Sequence, residues 1–208
     1  MKKGNNKGFW QFFAFLYAPF MRRNKKAYEE MCGMLASHVD ENTHVLELAC
    51  GTGQLSFPMA ERSAHWTATD FSENMIREAE KLNMLRQEKL TFSVADATAL
   101  PFADGSYDLV VIANALHIMP EPEKALSEIR RVLKENGTLF APVFIYPGKK
   151  TGLLIRLMEM IGFKTYHKWN EAEYRAFVQA NGFPEAVSRC IPAKPMPECI
   201  LTAVKRGK

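Results

Sequence analysis

Cysteine is scarce and unpatterned: Cys32, Cys50, Cys190 and Cys199 are the four in 208 residues. No CxxC pair or cysteine–histidine spacing links them, so the sequence predicts neither a disulfide framework nor a zinc site, and no metal ligand is assigned. Apolar runs long enough to cross a bilayer are also lacking. The most apolar stretch, FWQFFAFLYAPFM from Phe9 to Met21, has thirteen residues, against the ~20 that a spanning helix needs. It makes a poor secretory signal, because Leu16 and Ala18 ahead of Pro19 do not form a small-x-small cleavage pattern. Internal repeats and low-complexity linkers are missing too, and the length fits one domain with a short appendage. The expectation is a cytoplasmic protein, with peripheral membrane contact as an open addition.

The body of the chain has no basic excess. Net charge is +4, yet Lys2, Lys3, Lys7, Arg22, Arg23, Lys25 and Lys26 all precede the first acid, Glu29. The remainder holds 20 basic against 23 acidic residues. A nucleic-acid-binding face is therefore not expected. The basic, aromatic segment 9–26 suits either a helical lid over a ligand pocket or an interfacial contact with anionic lipid. Plain packing on the core is the third reading.

What is present is a regular alternation of strand and helix patterns. HVLELA, HWTATD, LTFSVAD, YDLVVIAN and TLFAPVF read as five strands. Between them lie GQLSFPMAER, SENMIREAEKLNML with Ser72 as N-cap, and EPEKALSEIRRVLKENG, with Pro122 at its start and Gly137 as its stop. A helix over KKAYEEMCGMLASHV precedes them. Such alternation predicts a parallel sheet with helices on both faces. Beyond Pro147, TGLLIRLMEMIGF is apolar nearly all round, and NEAEYRAFVQANGF is a helix with an Asn170–Glu173 capping box. EAVSRCI and ECILTAV are joined by six residues, too few for a parallel crossover, so they are predicted to pair antiparallel at a sheet edge.

In an open α/β sheet, ligands bind beyond the carboxyl ends of the strands. The first strand ends in Ala49-Cys50-Gly51-Thr52-Gly53, the second at Asp70, the third at Asp96 and the fourth at Asn114. An acid some 20 residues past a glycine loop can accept from both hydroxyls of an adenosine ribose. Phe71 could then lie on the adenine face and Asp96 at its edge. GTGQLS also approximates a dinucleotide fingerprint, so a nicotinamide oxidoreductase is a rival. Glu47, two residues before the turn, favours a cofactor with a positive amino group, such as S-adenosylmethionine.

These segments carry a family resemblance. VLELACGTGQ, ATDFSENMI, VADATALPFADGSYDLV, NALHIM and EIRRVLKENGTL, from about Glu41 to Phe144, resemble a class I S-adenosylmethionine-dependent methyltransferase of the ubiquinone and menaquinone branch. The resemblance implies a Rossmann-like, doubly wound α/β fold with a seven-stranded, mostly parallel sheet and an antiparallel last strand. The chain is read as an N-terminal helical lid at 1–40 and a cofactor-binding domain at 41–208, with 146–169 as a substrate-cap insertion. The resemblance places Glu47, Ala49, Cys50, Gly51, Thr52 and Gly53 along the methionine end of the cofactor. Asp70 would hold the ribose, Phe71 and Met75 would flank the adenine, Asp96 and Ala97 would take its edge, and Asn114 would lie near the methionine. Ala49 departs from the glycine that the family commonly has there.

Methyl transfer from a sulfonium needs mainly alignment, with a base only where the acceptor must lose a proton. His117 and Tyr17 are the candidate catalytic residues, with Tyr166 and His167 behind them. The apolar flanking segments favour an apolar or aromatic small molecule, including a lipid-like one, as acceptor. A non-catalytic cofactor-binding module is the remaining alternative.

Overall fold

A computed structural model describes residues 6, 8–12, 25–84, 87–146, 164–193 and 196–207. Tyr17, most of the aromatic segment 9–21 and the apolar stretch 151–163 lie outside the described residues. Helical residues 8–12 (α1) lead to α2 (Lys25–Leu35), whose Ala27, Met31 and Leu35 share one buried face. The strands are β1 (His44–Leu48), β2 (His65–Asp70), β3 (Leu90–Val94), β4 (Tyr107–Ile112), β5 (Leu133–Phe140), β6 (Val143–Phe144), β7 (Val187–Ile191) and β8 (Glu198–Val204). Between them run α3 (Ser56–Met59), α4 (Glu73–Leu82), α5 (Pro122–Val132) and α6 (Glu171–Ala180).

The sheet order is β3-β2-β1-β4-β5-β8-β6, with β7 paired to β8. β1 to β5 are mutually parallel, and β8 runs antiparallel to β5, β6 and β7. The mostly parallel architecture and the C-terminal hairpin agree with the sequence expectation. Central strands are apolar on both faces because helices cover both. Leu46, Leu48, Val110, Ile112 and Leu139 pack with α5 and α6 on one side. Val45, Leu109, Val111, Trp66 and Phe140 pack with α2 on the other. Single-residue alternation along β1 therefore decides which layer each side chain enters.

Two expectations need correcting. Eight strands are present rather than seven, because TLFAPVF is divided at Ala141-Pro142; proline has no N–H to give to the ladder. β5 and β6 nonetheless line the same edge of β8, whose Cys199 pairs Val143 on one side and Cys190 on the other. The helix before β5 stops at Val132, not at Gly137. The pairing with β4 jumps from Tyr107↔Leu133 to Leu109↔Thr138, and Asn136, at φ 63°, turns the bulged chain. Gly137 serves close approach: a Cβ there would stand 2.9 Å from the Lys134 carbonyl oxygen and 3.1 Å from that of Asp108.

The expected caps are made. Ser72 Oγ accepts from Met75 N–H at 3.4 Å at the start of α4. At α6, Asn170 Oδ1 accepts from Glu173 N–H and Glu173 Oε2 accepts from Asn170 N–H. Among the described residues, no helix is long and apolar enough to cross a membrane.

Candidate functional site

At the carboxyl end of β1 the chain leaves the sheet through a loop with three left-handed residues in five: Ala49 (φ 54°), Gly51 (57°) and Gly53 (89°). The loop is bound to the next strand by Cys50 N–H donating to Thr69 O at 2.9 Å. At Gly53 a Cβ would come within 2.6 Å of the Phe57 ring, so the residue must lack one. Ala49 adopts the conformation that glycine takes without strain, which costs an L-residue roughly 1–2 kcal/mol.

Asp70 closes the loop onto β2. Its Oδ2 accepts from Gly51 N–H at 3.0 Å and its Oδ1 from Ser72 N–H at 2.9 Å. Burial raises this carboxyl from its ordinary 3.8 to about 6, while the N–H groups of Ser72, Gly51 and Phe71 pull it the other way. Asp96, one strand over, makes an Asx turn, its Oδ1 accepting from Thr98 N–H and Oγ1 at 2.8 and 2.7 Å.

A cavity of about 790 Å³ opens above these strand ends. Ala49, Gly51, Asp70, Phe71, Met75, Asp96, Ala97 and Asn114, all selected from the sequence, line it together. Its described wall carries four acids, Asp70, Asp96, Glu121 and Glu123, against the single lysine Lys124. Lys124 itself pairs with Glu121 at 2.6 Å. The electrostatics of the wall therefore favour a cationic ligand over a pyrophosphate.

Other sequence-selected residues stand elsewhere. Glu47 faces away from the cavity, its Oε2 accepting from Ser56 Oγ at 2.5 Å and Trp66 Nε1 at 2.8 Å. It ties α3 to β2, and burial lifts its carboxyl to about 7. Cys50, Thr52 and Gly53 shape the loop from beneath, with Cys50 and Thr52 buried. His117 is buried below the cavity, with its ring against Phe144. Burial, with the neighbouring His167, lowers its pKa to about 3, so the ring is neutral and weakly basic. Its carbonyl oxygen accepts from Tyr166 and His167 N–H at 3.1 and 3.0 Å.

Among the wall residues not selected from sequence are two groups from separate segments. Asn6 and Trp10 come from the N-terminal segment, and Ile118, Met119 and Pro120 from the loop before α5. The aromatic composition of 9–21 was the available signal for Trp10, and the NALHIM segment was that for Ile118 and Met119. Asn6 is 3% exposed and fastens three pieces. Its Nδ2 donates to Ile118 O and Lys164 O, and its Oδ1 accepts from Lys164 N–H, all within 3.0 Å. Gln11 completes the attachment, donating to Glu73 and accepting from Asn74 at the start of α4.

Asn114, at φ 54°, is the wall residue at the end of β4. Its Nδ2 donates to Glu198 Oε1 of β8 at 3.1 Å. Among the described residues, Asn114 Oδ1 and Glu198 Oε2 are buried without a hydrogen-bond partner. Burial of Glu198 raises its pKa to about 7, and the Asn114 amide opposes that shift.

With this geometry in place, the comparisons are specific. Residues 46–141 match the family model described as a methyltransferase domain. The matched stretch, under half of the chain, is similar to a methyltransferase domain. Similar curated proteins include demethylmenaquinone methyltransferases of Renibacterium salmoninarum, 43% identical over 103 residues, and of Thermus thermophilus, 39% identical over 116. These matches cover 50% and 54% of this chain, and 42% and 53% of those proteins, so the chain spans about half the length of such relatives. Among solved structures, a chain from the complex of the Haloferax volcanii Trm112 methyltransferase activator with a methyltransferase superposes with a TM-score of 0.77. That match is 20% identical and covers 97% of this chain and 98% of the other. A Haemonchus contortus phosphoethanolamine N-methyltransferase 2 in complex with S-adenosyl-L-methionine has a TM-score of 0.72 at 16% identity, covering 86% and 53%. At these identities both likenesses speak for the fold alone. The cavity's residues fit a cationic nucleoside cofactor such as S-adenosylmethionine: the buried acid Asp70 stands on its wall, that wall is acidic, and Asn114 holds an orphaned acceptor.

Proposed function

We propose that the protein is an S-adenosylmethionine-dependent methyltransferase acting on an apolar or aromatic small molecule, lipid-like acceptors included. The buried Asp70 carboxylate carries this reading. It is aimed by two backbone N–H groups at the rim of an acidic cavity, where a ribose with two free hydroxyls would find both oxygens. When bound, S-adenosylmethionine supplies a methyl group on a sulfonium, which departs as a neutral thioether.

The protein's own contribution is placement. Asp70 would hold the ribose, Phe71 and Met75 the adenine faces, and Asp96 with Ala97 the adenine edge. Asn114 Oδ1 would accept from the ammonium, with the Glu198 carboxyl that the same amide holds behind it. Gly51 and Ala49 bring bare backbone against the amino-acid part. Trp10, fastened through Asn6, would cover the site and exclude water, leaving an in-line approach for the acceptor's nucleophile. We read segment 1–40 as the lid, 41–208 as the catalytic domain and 146–169 as the cap over the acceptor.

Support for the acceptor class is compositional, from the aromatic N-terminal and apolar 151–163 segments, together with the relatives named for menaquinone synthesis. A hydroxylated ring on an apolar body is the acceptor we would try first. The membrane-peripheral placement of segment 9–26 belongs to the same reading. Calorimetry with S-adenosylhomocysteine, S-adenosylmethionine and NAD tests the core of it. Binding of the first two and not the third is expected; tight NAD binding alone would overturn it.

A further inference from the structure

We propose that Glu171, Cys190 and Cys199 form a binding site for a thiophilic divalent cation of the zinc class, remote from the cavity. The sequence separates these residues, and the antiparallel hairpin unites them: the register of β7 and β8 sets Cys190 directly opposite Cys199. The capping box at Asn170 starts α6 so that Glu171, its first residue, overhangs the pair.

One ligand atom from each residue lies within 4.8 Å of the others. Tetrahedral zinc with Zn–S near 2.3 Å needs sulfur atoms about 3.8 Å apart, which this spread can meet by rotamer adjustment. The donor set is two sulfurs and one carboxylate oxygen, which selects zinc or cadmium and not magnesium or calcium. Cys190 Sγ already stands 3.0 Å from Glu171 Oε2, the position a bridging ion would share.

The surroundings resemble an outer shell. Ser188 Oγ donates to Glu171 Oε1 at 2.8 Å and so turns Oε2 toward the thiols. Arg175 Nη1 donates to Ser188 Oγ at 3.2 Å and stands 4.0 Å from Glu171 Oε1. Two thiolates and a carboxylate on a divalent ion leave one net negative charge, and the Arg175 guanidinium is placed to balance it. Cys190 is exposed, which provides an entry path, while Cys199 is buried. Three protein ligands leave a fourth position open to water, as in zinc sites that keep an exchangeable ligand. Binding would release the two thiol protons to solvent and clip α6 to the hairpin. Cys32 and Cys50 belong to the opposite side of the sheet and take no part.

The test uses the full, reduced chain titrated with Cd²⁺ under its thiolate-to-cadmium ultraviolet band, and with Zn²⁺ by calorimetry. One ion per chain is expected, with the absorbance of two thiolates. Cys190→Ser, at an exposed position that the fold does not depend on, should weaken binding by more than the roughly 10–100-fold that losing an outer-shell partner costs. Ser188→Ala should fall within that smaller range, and Cys32→Ser should change nothing. Absence of saturable one-to-one binding overturns the site, as does undiminished binding in Cys190→Ser or dependence on Cys32. None of these readouts involves methyl transfer, so the site stands or falls separately from the proposed activity.

Discussion

Asp70 and Glu198 are both buried acids near the carboxyl ends of the strands, but their surroundings differ. Asp70 is received by the backbone N–H groups of Gly51 and Ser72, from the loops after β1 and β2 in the parallel half of the sheet. Glu198 lies on the antiparallel strand β8, where one carboxamide, that of Asn114, meets one of its oxygens. The parallel half thus builds its ligand acceptor from local loop geometry, complete before any ligand arrives. The antiparallel half leaves polar atoms unpaired, a state that costs several kcal/mol in the interior and that an incoming donor would relieve. On the proposed function, one half would position the cofactor, and the other has spare capacity for a charge.

The sharpest way to break this comparison is to remove Asp70. Asp70→Ala deletes the ribose acceptor and unties Gly51, so affinity for S-adenosylhomocysteine should fall by about a hundredfold or more, two charge-assisted hydrogen bonds being worth roughly 3 kcal/mol together. Calorimetry reads this directly; unchanged affinity would refute the placement of the ribose. Glu198→Gln should act in two directions. Affinity for the same ligand should fall roughly tenfold, the scale of one charge-assisted contact, while the unliganded protein should gain stability in urea above about pH 7, where the buried Glu198 is ionised and only one of its oxygens is hydrogen-bonded.

Burial raises both Asp70 and Glu47, and their placement relative to the cavity separates them. Asp70 titrates near 6 in the fold against an ordinary 3.8, so the folded state holds its proton longer. Its contribution to stability is present below about pH 4 and is lost as pH rises toward 6. Ligand binding should run the other way, because the proposed acceptor is the ionised carboxylate. Affinity for S-adenosylhomocysteine should rise several-fold from pH 5 to 7, with proton release seen as a buffer-dependent binding enthalpy. In Asp70→Asn that rise should flatten. Glu47, outside the cavity, should affect stability over pH without entering the binding profile.

Smaller effects refine the picture. Ala49→Gly relieves the left-handed strain at φ 54° but frees the unfolded chain, so a net gain of roughly 0.5–1 kcal/mol is expected in thermal unfolding. His117→Gln should lower kcat less than tenfold if the buried, weakly basic ring only supports the Leu116–Ile118 turn, whereas loss of a general base costs about 10²–10⁴. The kcat of that variant with a hydroxylated acceptor therefore decides the role of His117.

The cofactor end was legible because its signals are local. Glycines that turn a chain, an acid at the next strand end and a serine that caps the following helix occupy consecutive positions, and strand alternation places them. Alternation also had an effect that sequence reading missed at Glu47. Its neighbours Leu46 and Leu48 face α5, so Glu47 faces Trp66 instead of the cavity. Gly137 looked like a helix stop and is a close-approach residue in a bulge, because the pairing of β5 with β4 overrides the local turn signal.

What the sequence by itself determined is the succession of elements, the parallel sheet with its antiparallel C-terminal hairpin, the left-handed loop and the acids at two strand ends. Periodicity and turn chemistry act over a few residues and need no partner. The tertiary structure alone decided which atoms meet across 84 residues at Asn114 and Glu198, across 158 at Asn6 and Lys164, and across the β7–β8 hairpin at Cys190 and Cys199. Those meetings depend on strand register and on which layer each face enters, and no spacing along the chain encodes them.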